Sequence, residues 1–228
     1  MFQTPYNAAP FSRFTPTDYL PAIEKVIAEN LNKINTIVEN PDLPTYINSI
    51  QPLAYVDLEL DRLTAMFFNL NSAETNDALQ AEAQRISPLL TDYGNDIRLN
   101  EALFKRVKTV YDQRENLSLT AEQQTLLEKT YKSFTRNGAN LSLNDKGRLR
   151  EIDKQLATLK LKFSENVLAE TQHYQWVITD KNTLSGLPDF VLEMLAQEAK
   201  KHNVQGWVIT LDLPVYTAVM KYADNRNL

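Results

Sequence analysis

With 228 residues, of which 43% are hydrophobic, the chain can bury one large core or two small ones, so widespread intrinsic disorder is excluded. A net charge of −5 argues against a broad basic surface for nucleic acid, and the absence of cysteine excludes disulfides, thiol nucleophiles and cysteine metal sites. Its apolar runs are too short to span a membrane, and its first residues lack the features of a signal peptide.

The first 40 residues predict an arm followed by a helix. Prolines keep residues 1–14 out of a helix, and four aromatic side chains should anchor this extended arm: Phe2, Tyr6, Phe11 and Phe14. Thr15 then caps a helix that has Pro16 at its first position and Asp18 near the positive end of its dipole. Its apolar stripe is Leu20, Ile23, Ile27, Leu31, Ile34 and Val38, and Asn40-Pro41 ends it.

Four more helices follow before residue 140. The second should run from Thr45 to about Leu70, with a kink or break at Pro52. The third begins near Thr75, bends at Pro88 and closes at Gly94-Asn95. The fourth starts at Asn100. The fifth starts at Thr120, which forms a capping box with Gln123, and stops at Asn137-Gly138.

A sixth, longer helix is predicted over Ser142–Thr171, where Ser142 and Asp145 form the N-terminal cap. Five apolar residues recur along it at spacings of three and four: Leu149, Ile152, Leu156, Leu159 and Phe163. A helix of about 27 residues is about 40 Å long. Because it is amphipathic, we expect it to be the long central helix whose stripe the other helices cover.

After Thr171 the period changes to the alternation of a strand at Tyr174, Trp176 and Ile178. A helix from Ser185-Gly186-Leu187-Pro188 to about His202 and a second strand at 207–211 follow. The two strands should share a small sheet with the helix on it, with a right-handed crossover if they are parallel. Pro214 starts a last short helix. The fold class is therefore mainly α, an irregular multi-helix domain with a small α/β piece containing two short strands.

The residues alone show no catalytic constellation. His173 and His202 are too far apart for the HExxH motif, and each is better explained by its place beside a strand or at a helix C-terminus than by metal binding. No phosphate-binding glycine loop or GxSxG elbow is present.

Other polar and aromatic clusters have structural explanations. Asp57, Glu59 and Asp61 could form a paired-carboxylate site, but a solvated helix face is the favoured interpretation. The basic run Lys200, Lys201 and His202 suits a helix C-terminus. Trp176 and Trp207 lie in strand patterns and are expected in a core.

Five stretches, in this order and spacing, resemble the N-terminal region of the thimet oligopeptidase family of zinc metallopeptidases. They are FFNLNSAETND from Phe67 to Asp77, VYDQR from Val110 to Arg114, YKSFTRNGANL from Tyr131 to Leu141, LSGLP from Leu184 to Pro188 and KYADNR from Lys221 to Arg226. The branch that they most resemble is the bacterial peptidyl-dipeptidase, or dipeptidyl carboxypeptidase. The resemblance extends from about Tyr6 to the end of the chain.

The resemblance implies a two-lobed helical enzyme with a deep channel that admits short peptides. In the family, zinc is held by HExxH and a downstream glutamate in a later catalytic portion, where zinc activates water and the motif glutamate acts as general base. None of those positions exists here, so no catalytic, cofactor-binding or metal-binding residue is carried over. The chain is expected to be an inactive, zinc-free N-terminal fragment that forms a wall of the channel.

This interpretation predicts three segments: a helical domain at 1–172, a strand-helix-strand segment at 173–213, and the start of a truncated catalytic region at 214–228. Its expected partners are short peptides and the missing catalytic lobe, with weak self-association of the fragment through apolar patches, and neither nucleic acid nor a membrane. We expect a cytoplasmic parent, or a periplasmic one if a leader was removed. The alternatives are an endo-acting oligopeptidase of the same family and a stand-alone helical interaction module.

Overall fold

The computed structural model describes residues 4–228 and divides the chain into two compact units, the first ending at Leu161 and the second comprising Lys162–Leu228. Phe2 of the predicted arm lies outside the described residues. The fold class is confirmed, because the described part is mainly α with a two-stranded sheet near the C-terminus. Within it, no helix is both long and apolar enough to cross a membrane. The division into 1–172, 173–213 and 214–228 stays a prediction.

The first unit is helical. Its elements in chain order are α1 (Pro16–Val38), α2 (Gln51–Tyr55), α3 (Leu58–Ala73), α4 (Asp77–Arg98), α5 (Glu101–Asp112), α6 (Ala121–Arg136) and the larger part of α7 (Leu143–His173). A π-helical turn, Tyr46–Ile50, leads directly into α2. Short 3-10 turns occupy Pro5–Asn7, Phe11–Arg13 and Arg114–Asn116.

The predicted helix starts are confirmed where a polar side chain satisfies the first free backbone N–H groups. Thr15 donates its backbone N–H to Asp18 Oδ2 at 2.7 Å, and Asn100 Oδ1 accepts the N–H of Leu103 at 2.9 Å. Thr120 and Gln123 form the reciprocal capping box, with bonds of 3.0 and 3.3 Å. These bonds join residues three apart in sequence, so the local sequence is enough to specify them.

Two predicted boundaries need correction. The helix is irregular at Pro52, as predicted, because a π-helical turn ends at Ile50 and Pro52 lies in the first turn of α2, but a further, unpredicted break follows at Val56-Asp57. Gly94-Asn95 does not close α4, which continues to Arg98. A helical glycine costs about 1 kcal/mol relative to alanine, which is less than the gain from burying the surrounding apolar face.

The N-terminal arm is only partly anchored. The ring of Phe14 packs against that of Tyr19, with 5.9 Å between their centroids. The side chains of Phe11 and Tyr6 are exposed, the latter by 100%, so the prediction that they anchor the arm is wrong. Two 3-10 turns also replace the extended conformation that the prolines predicted.

Helix α1 contributes to both hydrophobic clusters of the first unit. Around the fully buried Phe67 of α3 lie side chains of α1 and α4, including Ile23, Ile27, Ala83 and Ile86. The other cluster joins the C-terminal half of α1 to the π-helical turn, α5 and α6, and includes Ile34, Ile50, Leu103, Val107, Leu127 and Phe134. The stripe predicted for α1 is thus largely confirmed as core.

The orientation of α7 differs from the expected one. Its charged face meets α4 and α5 through three ion pairs of 2.7–2.9 Å: Lys146–Glu101, Arg150–Asp96 and Lys154–Asp92. Most of the predicted apolar stripe is exposed, to 60% at Leu159 and 70% at Phe163. The prediction that other helices cover the stripe is therefore wrong, although the helix and its Ser142–Asp145 cap are confirmed.

The second unit contains β1 (Trp176–Ile178), α8 (Asp189–Lys201), β2 (Trp207–Ile209) and α9 (Leu213–Tyr222). The strands pair antiparallel in the register Trp176–Ile209, Val177–Val208 and Ile178–Trp207, so the rule for parallel crossovers does not apply. Their shared core, predicted as a sheet with a helix on it, consists mainly of Ile178, Leu184, Leu187, Val191, Leu195, Ile209, Val215 and Val219.

Candidate functional site

A cleft of about 500 Å³ in the first unit is lined by α3, α4 and α6, together with residues around α2. Its apolar lining includes Leu53, Leu60, Leu90, Ile97 and Phe134, and its polar lining is Asp57, Asp61, Thr64, Tyr93, Arg98, Lys129, Thr130 and Ser133. The cleft therefore combines an apolar surface with groups of both charges, as small-molecule and peptide sites do.

Asp57 is held by residues from two other helices. It lies at the N-terminus of α3, immediately after the break that follows α2. Its Oδ1 accepts a short hydrogen bond from the Tyr93 hydroxyl of α4 and a 3.3 Å bond from Asn30 Nδ2 of α1. The carboxylate is half-buried and fixed by tertiary contacts, so the sequence-based interpretation as a solvated helix face is wrong for Asp57.

The protonation behaviour of the neighbouring groups follows from this arrangement. Burial, the hydrogen bond to Asp57 and the charge of Asp57 raise the pKa of Tyr93, which therefore stays protonated at neutral pH. Burial and the charge of Asp57 also raise the pKa of Asp61, one turn further along α3. Tyr93 therefore acts as a hydrogen-bond donor, and the surroundings of Asp61 disfavour its ionised form.

Two cations line the same cleft. Arg98 comes from the last turn of α4, and its guanidinium lies against Gly94, where an added Cβ would be 3.1 Å from Nη2. Lys129 comes from the middle of α6, and both side chains are exposed. With Asp57 and Asp61, these residues can bind a ligand that carries both charges. Hydroxyl groups of Thr64, Thr130 and Ser133 in the lining add hydrogen-bond donors and acceptors for such a ligand.

The two histidines are engaged in local contacts of the second unit. His173 is the last residue of α7, and its Nδ1 lies 2.7 Å from the carbonyl oxygen of Ala169. His202 caps the C-terminus of α8, and its Nδ1 lies 2.8 Å from Nε2 of Gln175. These contacts agree with the structural interpretation of both residues, and neither histidine lines the cleft of the first unit.

The remaining sequence candidates also have structural positions. Lys201 at the end of α8 pairs with Glu198 at 2.5 Å, beside an exposed Lys200. Trp207 packs against the core of the second unit, as predicted. Trp176 is 37% exposed, so its assignment to the core is wrong. Its strand has only three residues, and only Ile178 at the end of that strand is buried.

The sequence-based interpretation noticed Asp57 and Asp61 but missed Asn30 and Tyr93, which bind Asp57, and Arg98, which lines the same cleft. Tyr93 continues the apolar stripe of α4 after Leu79, Ala83, Ile86 and Leu90, and it is buried. A buried tyrosine needs a hydrogen-bond partner, which was a usable signal. Nothing in the sequence, however, indicated that the partner lies 36 residues earlier.

We expect Asp61→Asn to stabilise the protein at neutral pH by about 0.2–0.5 kcal/mol, the usual cost of two like charges one helical turn apart. The pKa of Asp61 is raised in the folded protein, so its ionised form is less favourable there than in the unfolded chain. The parent chain therefore loses stability as the pH rises through the pKa values of Asp61 in the unfolded and folded states, and the variant does not. Urea unfolding at pH 7 and pH 3 measures the difference in unfolding free energy between the variant and the parent chain.

At pH 3 the variant and the parent chain should have nearly equal stability, because Asp61 is protonated. Glu59→Gln is the matched control, since Glu59 is exposed in the same turn of α3 and does not line the cleft. Lower stability of Asp61→Asn than of the parent chain at pH 7 would contradict the predicted repulsion.

Comparison with known proteins identifies longer relatives. The chain is 33% identical to dipeptidyl carboxypeptidase of Salmonella typhimurium over 208 residues, which are 91% of this chain and 31% of that protein. It is 29% identical to oligopeptidase A of Escherichia coli over 225 residues, 99% of this chain and 33% of that protein. It is 23% identical to saccharolysin of Saccharomyces cerevisiae over 223 residues. No protein-family model matches the chain.

The chain thus spans about a third of the length of the relatives that it matches. These relatives include both oligopeptidase A and dipeptidyl carboxypeptidase, which match the chain at comparable identity. The chain is therefore homologous, over nearly its whole length, to the N-terminal portion of peptidases of the thimet oligopeptidase family, which confirms the family predicted from its sequence.

Proposed function

We propose that this chain is the N-terminal, non-catalytic part of a zinc metallopeptidase, and that it forms a wall of the channel in which short peptides lose C-terminal dipeptides. The observation that carries the proposal is the match of 91% of the chain to the N-terminal portion of a dipeptidyl carboxypeptidase. The cleft of the first unit supports a binding role, because its groups of both signs suit a peptide, which has charged ends and backbone donors and acceptors.

The zinc implied by the family does not fit the residues of this chain. Within residues 4–228, no group of three or more metal-binding side chains converges on one point. The two histidines lie in separate local contacts with Ala169 and Gln175, and the HExxH motif is absent from the sequence. We therefore assign zinc binding and the hydrolytic step to the remainder of the parent protein.

A second candidate is an oligopeptidase that cleaves within short peptides. It is favoured by the match to oligopeptidase A, which extends over 99% of this chain, compared with 91% for dipeptidyl carboxypeptidase. Both candidates assign the same structural role to this chain and differ only in where the peptide is cut.

We place the parent in the cytoplasm, which agrees with a chain that contains no cysteine.

The test begins with the reading frame beyond the codon for Leu228, where we expect an HExxH motif. The complete product is then incubated with two peptides of identical sequence, about nine residues long, one with a free C-terminal carboxylate and one amidated. Release of dipeptides from the free acid alone supports the first candidate. Internal cleavage of both peptides supports the second. Mass spectrometry of the products distinguishes these results.

The 228-residue chain is the control, and we expect it to cleave neither peptide and to bind no stoichiometric zinc. A stop codon directly after Leu228, or zinc-dependent cleavage by the 228-residue chain itself, would overturn the proposal. In the first case the interaction-module alternative would replace it.

A further inference from the structure

The apolar face of α7 is exposed in the part of the chain that the structure describes. We define the α7 stripe as Ile152, Leu156 and Leu159, which follow one another at spacings of four and three along one helix face of the first unit. All three are exposed large hydrophobic residues, from 38% at Ile152 to 60% at Leu159. At about 1.5 Å per residue the stripe is about 10 Å long.

The stripe is the outer side of a helix whose opposite side is already occupied. Lys146, Arg150 and Lys154 recur every fourth residue and form the ion pairs with α5 and α4. Leu161 continues this face and packs against the cluster around Phe67. Helical geometry places the centre of the stripe roughly 160° around the helix axis from these contacts. The contacts of α7 within the first unit therefore leave the stripe largely exposed, although Leu156 at its edge also lines a small cleft with Leu90 of α4.

A continuous row of exposed apolar side chains is unusual for a finished protein surface. Large exposed apolar patches mark interaction sites, and an amphipathic stripe with this spacing packs best against another helix. The two sides of α7 carry opposite chemistry. A stable partner for the stripe is therefore an apolar helical surface, because a charged surface would leave the isoleucine and leucine side chains without apolar contacts.

We propose that the α7 stripe is the surface on which the remainder of the longer polypeptide packs, as an apolar helical face of the same chain. The relatives supply the reason for this choice, since about two-thirds of each of them lies outside the match and must be accommodated against the matched portion. This inference rests on the proposed function in one respect, namely that the parent protein has such a remainder.

Cysteine labelling tests the proposal cleanly, because the 228-residue chain contains no cysteine. Leu159→Cys places a thiol within the stripe at a 60% exposed position. Glu151→Cys is the matched control, because Glu151 is exposed on the same helix and belongs neither to the stripe nor to the three ion pairs. Each variant is treated with a maleimide in two forms, the 228-residue chain and the complete gene product, and the labelled peptide is quantified by mass spectrometry.

We expect Leu159→Cys to react at least tenfold more slowly in the complete product than in the 228-residue chain, and Glu151→Cys to react equally in both. Equal labelling of Leu159→Cys in both forms would overturn the inference. Protection that rises with concentration in the 228-residue chain, without further protection in the complete product, would assign the stripe to a second copy and also overturn it.

The outcome is distinguishable from a failure of the proposed function. If the complete product cleaves peptides but leaves Leu159→Cys unprotected, the function stands and the docking surface is wrong. If the reading frame stops after Leu228, the proposed function fails, and the docking surface fails with it. A second variant, Leu156→Lys, should leave the unfolding midpoint of the 228-residue chain unchanged and lower that of the complete product.

Discussion

Gly206→Ala should destabilise the second unit by about 3 kcal/mol, a shift of roughly 10–20 °C in melting temperature for a unit of this size. Gly206 precedes β2 with φ +99°, a backbone conformation that side chains other than glycine rarely adopt. An added Cβ would lie 2.2 Å from the carbonyl oxygen of Ile178. Because Ile178 pairs with Trp207 in the sheet, this carbonyl cannot move aside without disturbing both strands.

Tryptophan fluorescence measures this change selectively. The chain has two tryptophans, and both of them, Trp176 and Trp207, lie in the paired strands of the second unit. We expect the fluorescence-detected melting temperature of Gly206→Ala to fall. Unchanged fluorescence melting would contradict the predicted clash.

Gly147→Ala is the matched control. Gly147 lies in the first turns of α7, with nothing within 4 Å of an added Cβ, and should gain up to about 1 kcal/mol from improved helix propensity. The same substitution thus has opposite expected signs at two positions, and the difference follows from the backbone conformation and the space around each glycine.

Arg106→Met should lower the free energy of unfolding by about 3 kcal/mol, since several buried or partly buried acceptors lose a charged donor. The Arg106 guanidinium holds the segment between α1 and the π-helical turn. It donates to the carbonyl oxygens of Asn40 at 2.8 Å and Asp42 at 3.3 Å. It also donates to the hydroxyl of Ser49 at 3.2 Å and to Asn48 Oδ1 at 3.3 Å. Methionine replaces the unbranched part of the side chain as far as the Nε position and offers no donor.

Urea unfolding followed by far-UV circular dichroism measures this loss, because the first unit is helical and lacks tryptophan. Lys105→Met is the control, as it removes the same charge from the neighbouring exposed position and should change stability by less than about 0.5 kcal/mol. Arg106→Lys should give an intermediate loss, because an ammonium reaches fewer of the four acceptors. Equal stability of Arg106→Met and the parent chain would refute the role assigned to this network.

The parts of the fold that could be predicted from the sequence are those determined by neighbouring residues. The caps at Thr15, Asn100 and Thr120 are bonds between residues three apart, so their helices begin where the sequence indicates. The break between α2 and α3 was not predicted, because it coincides with Asp57, whose side chain is held by the distant residues Asn30 and Tyr93. Contacts between residues that distant leave no periodic signal.

The candidate cleft shows the same limit. Its carboxylates were visible as a cluster on one predicted helix, but α4 and α6 supply the tyrosine, the arginine and the lysine that line it with them. The α7 stripe was predicted from its spacing, yet spacing shows only that a face is apolar and not what covers it. In the structure the opposite, charged face of α7 packs against α4 and α5, so α7 does not take the central position that was expected.

The three ion pairs that seat α7 also make its attachment dependent on ionic strength. The side chains of Arg150 and Lys154 and their partners are 36–48% exposed, so dissolved ions reach both members of these pairs, whereas in the third pair only Glu101 is exposed, at 63%, and Lys146 is 7% exposed. At physiological ionic strength, charges are screened over about 8 Å, and over about 3 Å at 1 M salt. Concentrated salt should therefore loosen α7 progressively from the Lys154 end towards Lys146, while the apolar clusters of the same unit tighten or remain unchanged.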